Sequence, residues 1–249
     1  MRAVILCFTL LISLPAITTA DTLVLRNAKI FTAGDAGVLS GVSVLVEDGV
    51  FIAIGADIDV PVDAVELDLV GKVVTPGLIS ARTTLGAVEI NDRANANDID
   101  AATTALSAGV DIAFAINPNT SLIPVARAGG ISSAVVTPGL YGKTGSEVLF
   151  GGQAALISTR GDGMTLMQPR VAVTLNLLGS DLSRAAVFPR LIAMLADAAA
   201  YAEQRDPGPV GSYTAAKWTR LDLDALVPVM RGDIPLIVSV HRASDIRSL

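Results

Sequence analysis

The sequence predicts an α/β protein in which an all-β prefix precedes alternating strands and helices. Three observations carry this. Residues 22–79 break into short apolar runs separated by Gly, Asp and Pro turn signals. From Asp111 onward apolar strand runs alternate with longer helical patterns, the order that produces a parallel α/β layer or barrel. The composition, 51% hydrophobic but only 4% aromatic, is that of a globular chain with an aliphatic core and excludes disorder.

The first twenty residues, "MRAVILCFTLLISLPAITTA", read as a signal peptide. Arg2 supplies the basic start, Ala3 to Leu14 the apolar run, Pro15 a helix breaker, and Thr18 and Ala20 the small residues read at cleavage. A membrane anchor is the competing reading, but the run is short for a bilayer. Export, into the periplasm, is therefore expected. The single cysteine, Cys7, lies inside this run, so cleavage after Ala20 leaves a chain with no disulfide, no thiol chemistry and no sulfur ligand for zinc.

Residues 21–79 are expected to be the β segment. "TLVLRNAKIF" alternates weakly. "VSVLVEDGVFIAIG" is two strands joined at Asp48-Gly49, a dipeptide suited to a tight hairpin. "AVELDLVGKVVTPGLI" adds a strand, a turn at Gly71 and a strand entering Pro76-Gly77. Residues 80–249 are expected to be the strand–helix part. The polar stretch 89–109 reads as a solvated loop. An apolar run "VDIAFAINP" follows, then a helix "SLIPVARAGG" stopped by Gly129-Gly130, and the strand "ISSAVVTP". After a Gly-rich stretch comes the strand "RVAVTLNLLG". The longest helix starts after Ser183, a plausible N-cap, and Pro189 should kink or restart it. "LDLDALVPVMRG" reads as a helix and "IPLIVSVH" as a buried strand.

Charge and motifs exclude several functions. A net charge of −6, with no Lys/Arg cluster, argues against a nucleic-acid partner. "TPGLYGKT" (Thr137–Thr144) approaches a phosphate loop but has Thr137 where the first glycine belongs, so it reads as an ordinary loop. No Gly-x-Ser-x-Gly elbow is present. His241, the only histidine, ends a strand, where α/β proteins gather ligands. One imidazole cannot hold a catalytic metal alone, so a histidine bonded to a neighbouring backbone group is the favoured reading.

The string "LDLVGKVVTPGLISARTTLG" (Leu67–Gly86), preceded by the Asp48-Gly49 hairpin with Gly55, resembles the amidohydrolase superfamily, in particular its imidazolonepropionase-like members. "NPNTSLIPVARAGGISSAVVTPG", "RVAVTLN" with the helix after it, and "PLIVSVHRASDI" resemble later segments of that family in the same order, so the resemblance runs from Thr22 to Leu249. It implies a small β-sandwich beside a (β/α)8 barrel of TIM type, one or two divalent metals such as zinc, and hydrolysis of C–N bonds in amides, ureides or cyclic imides by metal-bound water.

Carried across residue by residue, the family's His-x-His falls on Arg82 and Thr84. Its bridging lysine falls on Arg170 and its strand-five histidine on His241. The strand-six histidine and strand-eight aspartate have no counterpart before Leu249. Guanidinium groups offer only donors, so of the implied metal ligands His241 alone remains and no metal cofactor is expected.

The resemblance thus implies a degenerate, C-terminally short member containing strands one to about five of an incomplete barrel. Three readings stay open. The first is a non-catalytic protein binding a small anion or carboxylate through Arg82, Thr84 and Arg170. The second is an exported hydrolase of C–N bonds with an atypical or metal-free site. The third is a structural remnant. An open parallel sheet leaves unpaired edges, so the chain is expected to be a fragment, a truncated product, or half of an assembly that a partner chain completes.

Overall fold

The computed structural model describes residues 22–89, 97–99, 105–139, 149–163, 165–177, 183–204 and 209–249. The expected signal peptide, most of the polar stretch 89–109, and the Gly-Lys-Thr of "TPGLYGKT" lie outside the described residues. The chain divides into two compact units, Met1–Pro76 and Gly77–Leu249.

In the first unit, β1 (Thr22–Phe31), β2 (Val38–Glu47), β3 (Val50–Gly55), β4 (Val65–Asp68) and β5 (Val73–Val74) form one sheet. Its order is β3-β2-β1-β4, and β5 pairs the far end of β1 on the same side as β4. The hairpin between β2 and β3 forms where Asp48-Gly49 predicts it. Glu47 pairs directly with Val50, and both turn residues have positive φ, 49° at Asp48 and 78° at Gly49. This two-residue geometry matches the right-handed twist of the flanking strands. Ala28, Ile30 and Val44 are the buried centre of this sheet.

The second unit is built on a five-stranded sheet of order β10-β9-β8-β7-β6. Its strands are β6 (Leu78–Thr83), β7 (Ile131–Val136), β8 (Phe150–Ser158), β9 (Leu166–Asn176) and β10 (Leu236–Ser239). The pairs β6–β7 and β9–β10 are parallel, but β8 runs antiparallel to both neighbours. The sequence pattern predicts a parallel layer or barrel and gives no strand to the Gly-rich stretch that forms β8, and two physical facts account for the difference. Seven residues separate β8 from β9, which suits a hairpin, whereas a parallel crossover needs a dozen or more. "FGGQAALIS" also lacks a two-residue alternation, because seven of its nine positions are buried.

One face of this sheet is covered by helices. α2 (Arg184–Glu203) buries Val187, Leu191, Met194, Ala198 and Tyr201, spaced four and three residues apart. That spacing gives a single apolar stripe, which packs with Val173 and Leu175 of β9 and with α3 (Arg220–Met230). Pro189 lies within α2 without restarting it: as the sixth residue it gives up one backbone bond, and the stripe on either side stays packed. Ser183 is the N-cap residue, although its side chain makes no capping bond.

The run "VDIAFAINP" is not a strand. Asp111 accepts from the Ala113 amide and starts a 3-10 turn over Ile112–Ala115. Ile112 then packs with Ala134, Val136, Ala155 and Ile157 on the helix-covered face of β7 and β8. α1 (Leu122–Ala128) ends at Gly129, and α4 (Ala243–Ser248) follows β10.

Candidate functional site

Strand parity decides which side chains share the open face of the second sheet. Leu236 and Val238 pack with the helices, and on β10 they alternate with Ile237 and Ser239. Ser239, paired with Asn176, therefore faces away from the helices. On β6, Thr83 is partnered with Val136 of the covered face, which turns Arg82 to the open face.

Arg82 and Ser239 belong to the two outermost strands of the sheet, yet Arg82 Nη1 stands 3.4 Å from Ser239 Oγ. Four flat inter-strand spacings would separate β6 from β10 by about 19 Å, beyond the reach of one side chain. The contact therefore measures a strong curl: the sheet is a half-barrel, and Arg82 spans its concave side. Among the described residues, this single bond at the long end of hydrogen-bond distance is the only partner of the Arg82 side chain, which leaves its other N–H groups uncommitted.

Thr84 follows β6 in a turn, and its carbonyl accepts from the amides of Ala87 (3.0 Å) and Val88 (3.1 Å). Its half-buried hydroxyl stands two residues beyond Arg82. His241 lies two residues past Ser239, beyond the end of β10, exposed and without a hydrogen-bond partner among the described residues. The backbone-bonded histidine weighed from the sequence is not what forms.

Arg170 does not join this group. It sits in a bulge of β9, where three residues stand between the partners of Ala154 and Leu156, and its φ is 56°. Its Nε donates to Asp111 Oδ2 at 2.8 Å, and Asp111 is anchored beside Gln153 at the head of the 3-10 turn on the covered face. The two arginines that the sequence places together as an anion clamp are thus on different faces.

Asp111 and Ser239 are the partners that sequence reasoning missed. Asp111 was legible in principle as an N-cap before an apolar run, whereas the contact to Ser239 depends on the curl and has no local signal. Asp111 also borders a cavity of about 570 Å³ with Asp98 and Asn117, an acidic lining that disfavours an anion there.

A divalent metal does not fit the residues present. Where the resemblance puts imidazoles, the open face offers a guanidinium and a hydroxyl. Among the described residues no group of three His, Cys, Asp or Glu side chains stands close enough to share a cation.

No family model matches the sequence, and no curated protein does. Among solved structures, an amidohydrolase from Thermotoga maritima superposes on 91% of this chain with a TM-score of 0.69 at 23% identity. That likeness establishes the fold alone, a β segment followed by a partial barrel as in the Thermotoga protein. The chain spans 60% of the length of the Thermotoga protein. A second amidohydrolase (TM-score 0.25, 28% identity, 27% of this chain and 16% of that one) is matched over too little to bear on it. The same holds for a prolidase complexed with N-methylphosphonate-L-proline (0.27, 20%, 45% and 30%).

Proposed function

We propose that this chain is a non-catalytic member of the amidohydrolase superfamily that binds a small carboxylate or similar anion on the concave side of its half-barrel. The observation that carries the proposal is Arg82. It is a guanidinium held across the open face by one weak neutral contact, with no carboxylate among its partners in the described residues. Its free N–H fork suits a bidentate carboxylate. Thr84 and Ser239 supply hydroxyls nearby, and His241 stands at the rim as a further donor. Arg170, engaged with Asp111, takes no part.

Titration calorimetry with succinate tests the reading. Wild-type protein should bind saturably, Arg82→Lys should bind more weakly, and Arg82→Ala should not bind. Equal affinity in wild type and Arg82→Ala would refute it.

A hydrolase of C–N bonds is the second reading, favoured by the extent of the superposition on the Thermotoga amidohydrolase. Turnover of N-acyl amino acids or cyclic imides by the purified chain, with and without added zinc, decides between the two. The proposal also includes export and a partner chain. β6 and β10 are the ends of the sheet and each has an edge without strand pairing among the described residues, the place where further strands would add. Light scattering on the purified protein tests for such an assembly, and cell fractionation tests for a periplasmic location.

A further inference from the structure

A second cavity, of about 380 Å³, opens at the opposite end of the half-barrel sheet from Ser239 and His241, where β7 begins and β8 ends. Its volume lies in the range of small-molecule sites. The walls include Arg127 at the end of α1 and Arg160 just past β8, with Ser133, Ser158 and Thr159 between them.

Several features make this a built recess. Arg127 Nη1 donates to the Thr159 carbonyl at 2.7 Å, which fixes the guanidinium against the floor. A side chain at Gly161 would meet that same Nη1 at 3.0 Å, so the turn after β8 leaves room for the guanidinium. Thr159, almost fully buried, is tied by its hydroxyl to the Ile131 carbonyl at 2.7 Å. Ser133 and Ser158 are directly opposed across β7 and β8, so their hydroxyls lie on one side of the sheet. Ser158 Oγ accepts from the Arg160 amide at 3.1 Å, which leaves its own O–H to donate. Among the described residues the Ser133 hydroxyl and the Arg160 guanidinium have no partner, and no carboxylate lines the cavity.

In a chain of net charge −6, two guanidinium groups without an acidic partner therefore converge on a recess floored by hydroxyl donors. We infer that this recess binds a phosphate group, as the free ion or as the monoester of a small alcohol. Donors outnumber what a two-oxygen carboxylate can accept, whereas three phosphate oxygens can engage both forks and the serine pair. The site is separate from Arg82 and does not depend on the function proposed for it.

The test is titration of the full chain with inorganic phosphate, glycerol 3-phosphate and succinate, followed by calorimetry. The Arg160 side chain makes no hydrogen bond or ion pair among the described residues, so Arg160→Gln should leave the thermal midpoint unchanged and weaken phosphate binding about tenfold or more. Ser133→Ala should weaken it severalfold, and Arg82→Ala should leave it unaltered. Tighter binding of glycerol 3-phosphate than of inorganic phosphate would assign the monoester, and the reverse the free ion. Absence of saturable phosphate binding overturns the inference. So does affinity that survives Arg160→Gln, succinate binding as tight as phosphate at this recess, or loss of phosphate binding in Arg82→Ala.

Discussion

Replacing Asp222 with alanine should destabilise the second unit by about 3–5 kcal/mol, although the residue lines neither proposed site. Its carboxylate is fully buried at the start of α3. One oxygen accepts from the amides of Ser107 (2.7 Å) and Gly109 (2.8 Å), and the other from the Thr219 amide (3.0 Å) and hydroxyl (2.7 Å) in a capping box. Loss of a helix cap costs about 1 kcal/mol. Stranding two backbone donors that had a charged acceptor costs roughly 1–3 kcal/mol each. These contributions are not additive, and Ser107 and Gly109 keep some access to water, so the middle of the range is expected.

The packing agrees with the bonds: a side chain at Gly109 would approach Leu221 Cβ at 2.9 Å, so Gly109→Ala should cost about 1–3 kcal/mol by overpacking. Trp218, the only tryptophan, is buried one residue before the cap and reports unfolding by fluorescence during urea denaturation. A change below about 1 kcal/mol for Asp222→Ala, at unchanged m-value, would show that the carboxylate is not the clamp between this segment and α3.

The Asp48-Gly49 turn gives a purely conformational test. Nothing lies within 4 Å of a Cβ built on Gly49, so Gly49→Ala should cost about 1–2 kcal/mol through its positive φ alone, read by chemical denaturation. Asp111→Asn should release Arg170 and weaken the start of the 3-10 turn. Since the Arg170 side chain is largely exposed, the ion pair itself contributes about 0–1 kcal/mol, and a much larger loss would mean that the bulge depends on it. Burial, with a 2.6 Å hydrogen bond to Asp224, raises the Tyr201 phenol above its ordinary pKa. The folded state therefore holds that proton more tightly, so stability should fall as pH rises from the ordinary tyrosine range through the raised value. Tyr201→Phe should flatten this alkaline loss in a pH series of urea midpoints.

The alternation of strands and helices, the stop of α1 at Gly129 and the hairpin at Asp48-Gly49 were legible because each rests on chemistry within a few residues. The reversal of β8 was not, since a strand buried at most of its positions carries no periodicity to read. The candidate site was half legible. The sequence places Arg82 and Thr84 at one strand end and His241 at another, and β6 and β10 end there. Pairing Arg170 with Arg82 failed because a β9 bulge and the Asp111 cap send that guanidinium to the other face. The Arg82–Ser239 contact spans 157 positions and exists only because the sheet curls.

The central claim is that the open face carries a donor set for an anion in place of one for a divalent metal. Elemental mass spectrometry of zinc, iron, manganese and nickel in protein purified without added metal tests it most directly. Folded protein should carry far less than one metal per chain, unchanged by His241→Ala. Near-stoichiometric metal that is lost in His241→Ala would contradict it and place a working centre at the end of β10.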